Sequence, residues 1–112
     1  KADWQHDLCL LKFEKLPFKP VVMRDSSTLL YEEEVFTVGY PSGNSVPQPS
    51  YGTIKATYPH DNSLIIRSDA AFALGSSGGA MFDQNFNLIG ITSFKNPGRN
   101  SFFYSMPVEW IK

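Results

Sequence analysis

Cysteine occurs once in this chain of 112 residues, at Cys9. That excludes an internal disulfide and any metal site built from several thiolates. Between Leu8 and Leu10, the lone thiol reads as a buried apolar side chain. Excess charge is missing too. Ten Lys and Arg against eleven Asp and Glu leave a net charge of −1. No basic surface calls for nucleic acid or an anionic membrane. No apolar run approaches the ~18 residues of a membrane span. Histidine appears only at His6 and His60. Neither has a partner at a recognisable ligand spacing, so no metal and no cofactor are expected. What is present is a hydrophobic content of 42%, enough for the packed core of one ordinary domain.

Eight glycines and eight prolines punctuate short runs of β-branched, aromatic and leucine residues. Leu8 to Phe13 reads as a buried strand. Val35 to Val38 is a second, closed by Gly39-Tyr40-Pro41-Ser42-Gly43. Thr53 to Tyr58 alternates, with Ile54, Ala56 and Tyr58 on one face. Pro59-His60-Asp61-Asn62 is a turn, and Leu64 to Ile66 returns as the other half of a hairpin. Gly79 to Phe82, Leu88 to Phe94 and Phe102 to Met106 supply three more strands. Asp83 to Asn87 and Lys95 to Asn100 are connectors, and 41–50 is a loop. Glu32-Glu33-Glu34 reads as a solvated loop. Helix is suggested twice: Asp25-Ser26-Ser27 caps a short turn, and Pro107 opens a terminal helix. Many short strands with frequent turns indicate an all-β barrel or sandwich.

One stretch points at chemistry: Gly75-Ser76-Ser77-Gly78-Gly79, directly before Ala80-Met81-Phe82. Glycine permits backbone conformations closed to other residues. A tight turn there can aim two backbone N–H groups at one point beside a serine oxygen. Acyl transfer needs that geometry, a nucleophile next to donors for a developing oxyanion. A glycine-rich hairpin turn is the plain alternative for the same five residues.

The longer run Ser68 to Phe82 resembles the active-serine segment of trypsin-like serine peptidases, most closely the bacterial HtrA (DegP-like) branch. Leu88-Ile89-Gly90-Ile91-Thr92-Ser93 resembles the strand that follows in those enzymes. Asp7-Leu8-Cys9-Leu10-Leu11-Lys12 is similar to their aspartate strand. Arg24-Asp25-Ser26, then Val35 to Gly43, and finally Phe103-Tyr104-Ser105-Met106-Pro107 match the family's order and spacing. The resemblance runs from about Asp7 to Trp110. It implies that Ser77 is the nucleophile and that the backbone N–H groups of Gly75 and Ser77 form the oxyanion hole. It makes Asp7 the residue that orients a histidine; a strand-start aspartate that only caps a turn is the competing reading. It implies that Ser93-Phe94-Lys95 pairs as an edge with substrate backbone, and that Ala71, Phe72 and Phe102 line the pocket for the residue before the cut. Small or medium apolar residues are expected there. Lys95 and Arg99 near the rim make an acidic preference the alternative. Asp69 is expected to be a structural hydrogen-bonding residue. The partner expected is a protein or peptide substrate.

A serine hydroxyl is a poor nucleophile until a neighbour takes its proton. In this family that neighbour is a histidine preceding the aspartate, and only six residues precede Asp7. If His6 and Asp7 share a strand, their side chains point to opposite faces, which disfavours Asp7 orienting His6. His60 falls in a hairpin tip. The expected fold is therefore all-β: a chymotrypsin-like six-stranded C-terminal barrel plus the last strand of an otherwise missing N-terminal barrel. Residues 1–20 are that strand and a crossing segment, and 21–112 are the barrel carrying the nucleophile. The chain reads as part of a serine endopeptidase, inactive alone: a cleavage product, a truncated chain, or one piece of a complex whose other chain supplies the histidine. A non-catalytic peptide-binding module is the alternative.

Overall fold

The computed structural model describes residues 2–12, 14, 19–39, 46–71, 77–96 and 102–111, with only the backbone given at 94–96 and 102. Of the loop expected at 41–50, 41–45 lie outside the described residues and 48–50 are strand instead, paired with 37–39; of the connector expected from Lys95 to Asn100, Lys95 and Asn96 are strand, paired with Phe103 and Phe102, and the rest lies outside the described residues, as do 72–76.

The described residues hold eight strands: β1 (Ala2–Asp3), β2 (Leu8–Cys9), β3 (Glu34–Gly39), β4 (Gln48–His60), β5 (Ser63–Ser68), β6 (Ala80–Asp83), β7 (Leu88–Asn96) and β8 (Phe102–Pro107). β3 to β8 close into a six-stranded barrel in the order β3-β4-β5-β8-β7-β6. Every neighbouring pair in it is antiparallel. Closure gives every barrel strand a neighbour on each side along part of its length, which removes a continuous outer edge. The alternation read from the sequence fills the interior. Along β3, Val35 and Thr37 are buried while Glu34 points out, as a period of two requires. Val35, Ile54, Ile66, Ala70, Met81 and Ile89 form the core. Each large member contributes roughly 1.5–3 kcal/mol by leaving water. Asp61 and Asn62 both take positive φ, 46° and 64°. That makes the tight turn of the β4–β5 hairpin, a geometry these two residue types tolerate.

Two single-turn 3-10 helices stand where capping was expected. Asp25 caps Ser26–Thr28, its carboxylate accepting from the Ser27 N–H at 2.8 Å. The second runs Val108–Trp110. Here Pro107 is the cap and still the last residue of β8, so the terminal helix is shorter than expected and begins after the proline.

Several expectations need correction. Leu8 to Phe13 is not a buried strand: only Leu8–Cys9 is strand, paired with Ala2–Asp3. Leu10 and Leu11 are 50% and 70% exposed. Cys9 is exposed rather than buried. The reason is local: among the described residues, β1 is the only strand beside β2, so no second layer of sheet covers its apolar side chains. The glutamate trio is not simply a solvated loop. Glu33 is paired with Arg24, and Glu32 lies 2.6 Å from Lys55 Nζ. Arg24 also donates to the Thr28 carbonyl at 2.8 Å and to Asp83 at 3.1 Å. Burial pushes the Asp83 carboxyl up, but donors from Asn87, Arg24 and Asn85 outweigh it and hold the group below the usual carboxylate range. This network ties the segment before β3 to the end of β6.

Candidate active site

The path into the glycine-rich stretch is set by a close crossing. After β5, the chain passes over β4 at Gly52. A Cβ there would sit 2.4 Å from the Ala70 nitrogen and from Asp69 Oδ1, a separation no side chain sustains. Asp69 fastens the crossing: its Oδ1 accepts from the Thr53 N–H at 2.6 Å, and its own N–H donates to the Thr53 carbonyl at 3.2 Å. The structural role expected of Asp69 is the one observed. Ala70 is buried beneath it and Ala71 is exposed at the end of this described segment.

Ser77 is exposed in a turn. Gly78 has φ +90°, and a Cβ added to it would meet nothing within 4 Å. Its glycine is therefore required by backbone conformation, not by space. The Gly78 N–H donates to the Thr92 carbonyl at 2.8 Å, and the Thr92 N–H donates to the Gly79 carbonyl at 2.9 Å. The turn is thus pinned to β7 one residue before Ser93.

Ser93 is the meeting point. β7 is irregular between Thr92 and Phe94: these pair with consecutive β8 residues, Ser105 and Tyr104, so Ser93 is the extra residue of a bulge. A bulge re-aims a side chain without ending the strand. Ser93 is 8% exposed. Its carbonyl accepts from Ser77 Oγ at 2.7 Å. Its own Oγ donates to the Asp7 carboxylate, from a residue 86 positions away. Asp7 lies in the turn between β1 and β2 with φ 56°. So the structure brings Asp7, Ser77 and Ser93 together. The hydroxyl of Ser93 as partner of Asp7 escapes the sequence reading, which marks this residue only for backbone pairing; the bulge that aims it has no sequence signature.

The other expected residues divide. Gly75 and Phe72 lie outside the described residues. Phe94, Lys95 and Phe102 are placed by backbone only, with Lys95 opposite Phe103 and Phe102 opposite Asn96. β6 pairs with β7 only as far as Ile91. Beyond it, among the described residues, the other side of 93–96 has no strand beside it.

Neither histidine is a partner of Ser77 or Asp7 among the described residues. His6 does not share a strand with Asp7; both stand in the same turn. Its Nδ1 is 2.6 Å from Asp3 and its Nε2 is 2.6 Å from Asp61. His6 is held above the ordinary imidazole value, first by the Asp3 hydrogen bond and then by Asp61; the same contact lowers Asp3. His60 is exposed at the end of β4. Among the described residues no group of three His, Cys, Asp or Glu side chains could hold a metal ion. A shallow concavity lined by Asp25, Ser26, His60, Asp61, Leu64 and Glu109 includes none of Asp7, Ser77 or Ser93. Among the described residues the site is thus a hydroxyl and a carboxylate that meet at Ser93, beside a stretch of β7 with no strand on its other side.

The family model for the trypsin-like peptidase domain matches residues 1–91. A probable periplasmic serine endoprotease, DegP-like, of Pseudomonas putida (strain W619) is 29% identical over 114 residues, covering 96% of this chain and 24% of that protein. A DegP-like protein of the same description from Marinomonas sp. (strain MWYL1) is 35% identical over 96 residues, 82% of this chain and 20% of the relative. The chain thus spans about a quarter or less of these curated relatives. Among solved structures, the HtrA-type protease AlgW with decapeptide superposes with TM-score 0.85 at 25% identity, covering 97% of this chain and 36% of that one. The MamO protease domain from Magnetospirillum magneticum, apo form, gives 0.74 at 24% identity over 99% of this chain and 62% of that one; this second likeness speaks for the fold alone.

Proposed function

This chain belongs to the trypsin-like peptidase family, on its HtrA-like side, and on that premise we propose that it carries the nucleophile and the orienting aspartate of a serine endopeptidase. The observation that supports this most is the convergence of Ser77 and Asp7 on one residue, Ser93, from opposite ends of the sequence. In the reaction, Ser77 Oγ attacks the scissile carbonyl. Its proton passes to a histidine carried by a segment outside this chain. Asp7 accepts a hydrogen bond from the far ring nitrogen and stabilises the imidazolium. The N–H groups of Gly75 and Ser77 receive the oxyanion. The tetrahedral intermediate expels the amine, which takes the proton from the imidazolium. Water then repeats the sequence on the acyl-serine.

Substrate enters as an extended peptide along Ser93-Phe94-Lys95. The open side of β7 there supports this, because main-chain hydrogen bonds suffice to add a strand. Ala71, Phe72 and Phe102 form the pocket before the cut and select small or medium apolar residues; a profile dominated by arginine or lysine contradicts this. Residues 1–20 belong to a separate barrel and its crossing segment, and 21–112 to the barrel holding the nucleophile. Supporting this, among the described residues β1 and β2 form a two-stranded sheet of their own, and Leu10 and Leu11 are exposed. The barrel that covers them is also the source of the histidine.

A fluorophosphonate probe tests the reading. Applied to the parent protein, it labels Ser77 rapidly, and Ser77→Ala abolishes labelling while Asp7→Asn slows it. Applied to residues 1–112 alone, it labels slowly, and adding the natural preceding segment restores the rate. If the parent protein binds peptide but Ser77 never reacts, the chain is part of a peptide-binding module instead.

A further inference from the structure

Three segments remote in sequence meet at one imidazole. His6 sits in the β1–β2 turn, with Asp3 three residues before it and Asp61 at the tip of the β4–β5 hairpin. The Trp110 ring, from the C-terminal turn, packs on it with centroids 4.2 Å apart, and the His60 ring lies 6.3 Å away. Trp110 Nε1 donates to the Asp61 carbonyl at 3.3 Å, which holds the hairpin tip against the indole.

Protonation follows from donor and acceptor counts. Both ring nitrogens are 2.6 Å from carboxylate oxygens. An ionised carboxylate only accepts, and a neutral imidazole has a single N–H. Both contacts are hydrogen bonds together only when the ring is imidazolium. Removing its proton sets a lone pair against one carboxylate and opens that contact. The next residue in the chain is Asp7, and it is the Asp7 carboxylate that receives Ser93 Oγ.

We propose that His6 is a proton-dependent latch that seats the β1–β2 hairpin on the barrel and thereby positions Asp7 against Ser93. The effect on catalysis rests on the peptidase reading above; the latch itself does not. The titratable groups facing the ring are Asp3 from β1, and Asp61 and His60 from the β4–β5 hairpin. Trp110 is uncharged, and its neighbour Glu109 is engaged by the Ser26 backbone N–H. The sign follows from the raised His6 value, whose first cause is the Asp3 hydrogen bond. The latch is fully formed below the ordinary imidazole pKa and opens as pH rises through the raised one. At the acid end it fails as pH falls through the lowered Asp3 value. His6 is thus a positioning residue, acting through Asp7.

Two measurements test this. In the chain, NMR follows the His6 ring and the Asp7 carboxyl carbon against pH. The latch requires His6 to titrate above its ordinary value and the Asp7 signal to move along the same curve. Asp61→Asn shifts both midpoints to lower pH together. In the parent protein, the rate of fluorophosphonate labelling at Ser77 falls on the alkaline side with that midpoint. Asp61→Asn moves this limb down, and His6→Gln, which cannot titrate, removes it. An Asp7 signal indifferent to His6 titration, or an alkaline limb unchanged in both variants, overturns the proposal. Should Ser77 resist the probe at every pH while the Asp7 signal still follows His6 protonation, the latch stands and the peptidase reading fails.

Discussion

Replacing Ser93 by alanine separates the two tasks that converge on this residue. The backbone carbonyl that receives Ser77 Oγ at 2.7 Å remains. Only the hydroxyl that donates to Asp7 is lost. Hydrogen bonds to charged groups contribute about 1.5–3 kcal/mol. Asp7 is exposed, so its freed carboxylate regains water, and the lower end of that range applies. A loss of about 1.5 kcal/mol in the placement of Asp7 corresponds to roughly tenfold slower acylation. Global stability falls less, by about 1 kcal/mol, or roughly 4–8 °C in Tm for a domain of this size. The assay is the second-order rate of fluorophosphonate labelling at Ser77 in the parent protein, beside a thermal melt. Because Ser93 and Asp7 act as one unit, Ser93→Ala in an Asp7→Asn background adds little to the loss caused by Asp7→Asn alone. The reasoning is refuted if Ser93→Ala lowers Tm while the labelling rate stays within about twofold of wild type. It is equally refuted if the two substitutions are fully additive.

Four further outcomes follow from the packing. Gly52→Ala puts a methyl group 2.4 Å from the Ala70 nitrogen; overpacking of this kind costs about 1–3 kcal/mol, so a melt shows a clear drop and Ser77 labelling slows, because the displaced segment leads to the active turn. Arg24→Ala leaves the 2% exposed Asp83 with its Asn85 and Asn87 donors only; urea denaturation then shows a loss of about 3 kcal/mol, the lower end for breaking a buried pair because those donors persist. Since Asp83 is held low in the folded state, the stability it contributes is present above the ordinary carboxylate pKa and fades as pH falls through the lowered one, which an acid titration of the melting temperature detects. Ile89→Ala, at a fully buried core position, costs about 2–5 kcal/mol by the same measurement.

The barrel is legible because each strand carries its own signal. Val35 and Thr37 alternate with less buried neighbours, and Asp61-Asn62 is a turn dipeptide before any contact is known. The order of the motifs singles out Ser77 and Asp7, and the structure places both against Ser93. What cannot be read is set by contacts distant in sequence. Ser93 looks like any serine until a bulge turns its hydroxyl toward a residue 86 positions away. Gly52 looks like a weak point in a strand until the segment at Asp69-Ala70 crosses it. Cys9 has the neighbours of a buried residue, yet burial depends on a second layer that no local pattern supplies. The turn that holds His6 has no local sequence signal; it exists because Asp3 accepts from the backbone N–H groups of Gln5 and His6.

The most direct test of the central claim is a crystal structure of the parent protein after reaction with a phosphonate inhibitor. The account predicts phosphorus bonded to Ser77 Oγ, the phosphonyl oxygen accepting from the backbone N–H groups of Gly75 and Ser77, and an imidazole between Ser77 and the Asp7 carboxylate. A structure in which Ser77 is unmodified and its hydroxyl still rests on the Ser93 carbonyl, or in which Asp7 faces away from the adduct, contradicts it.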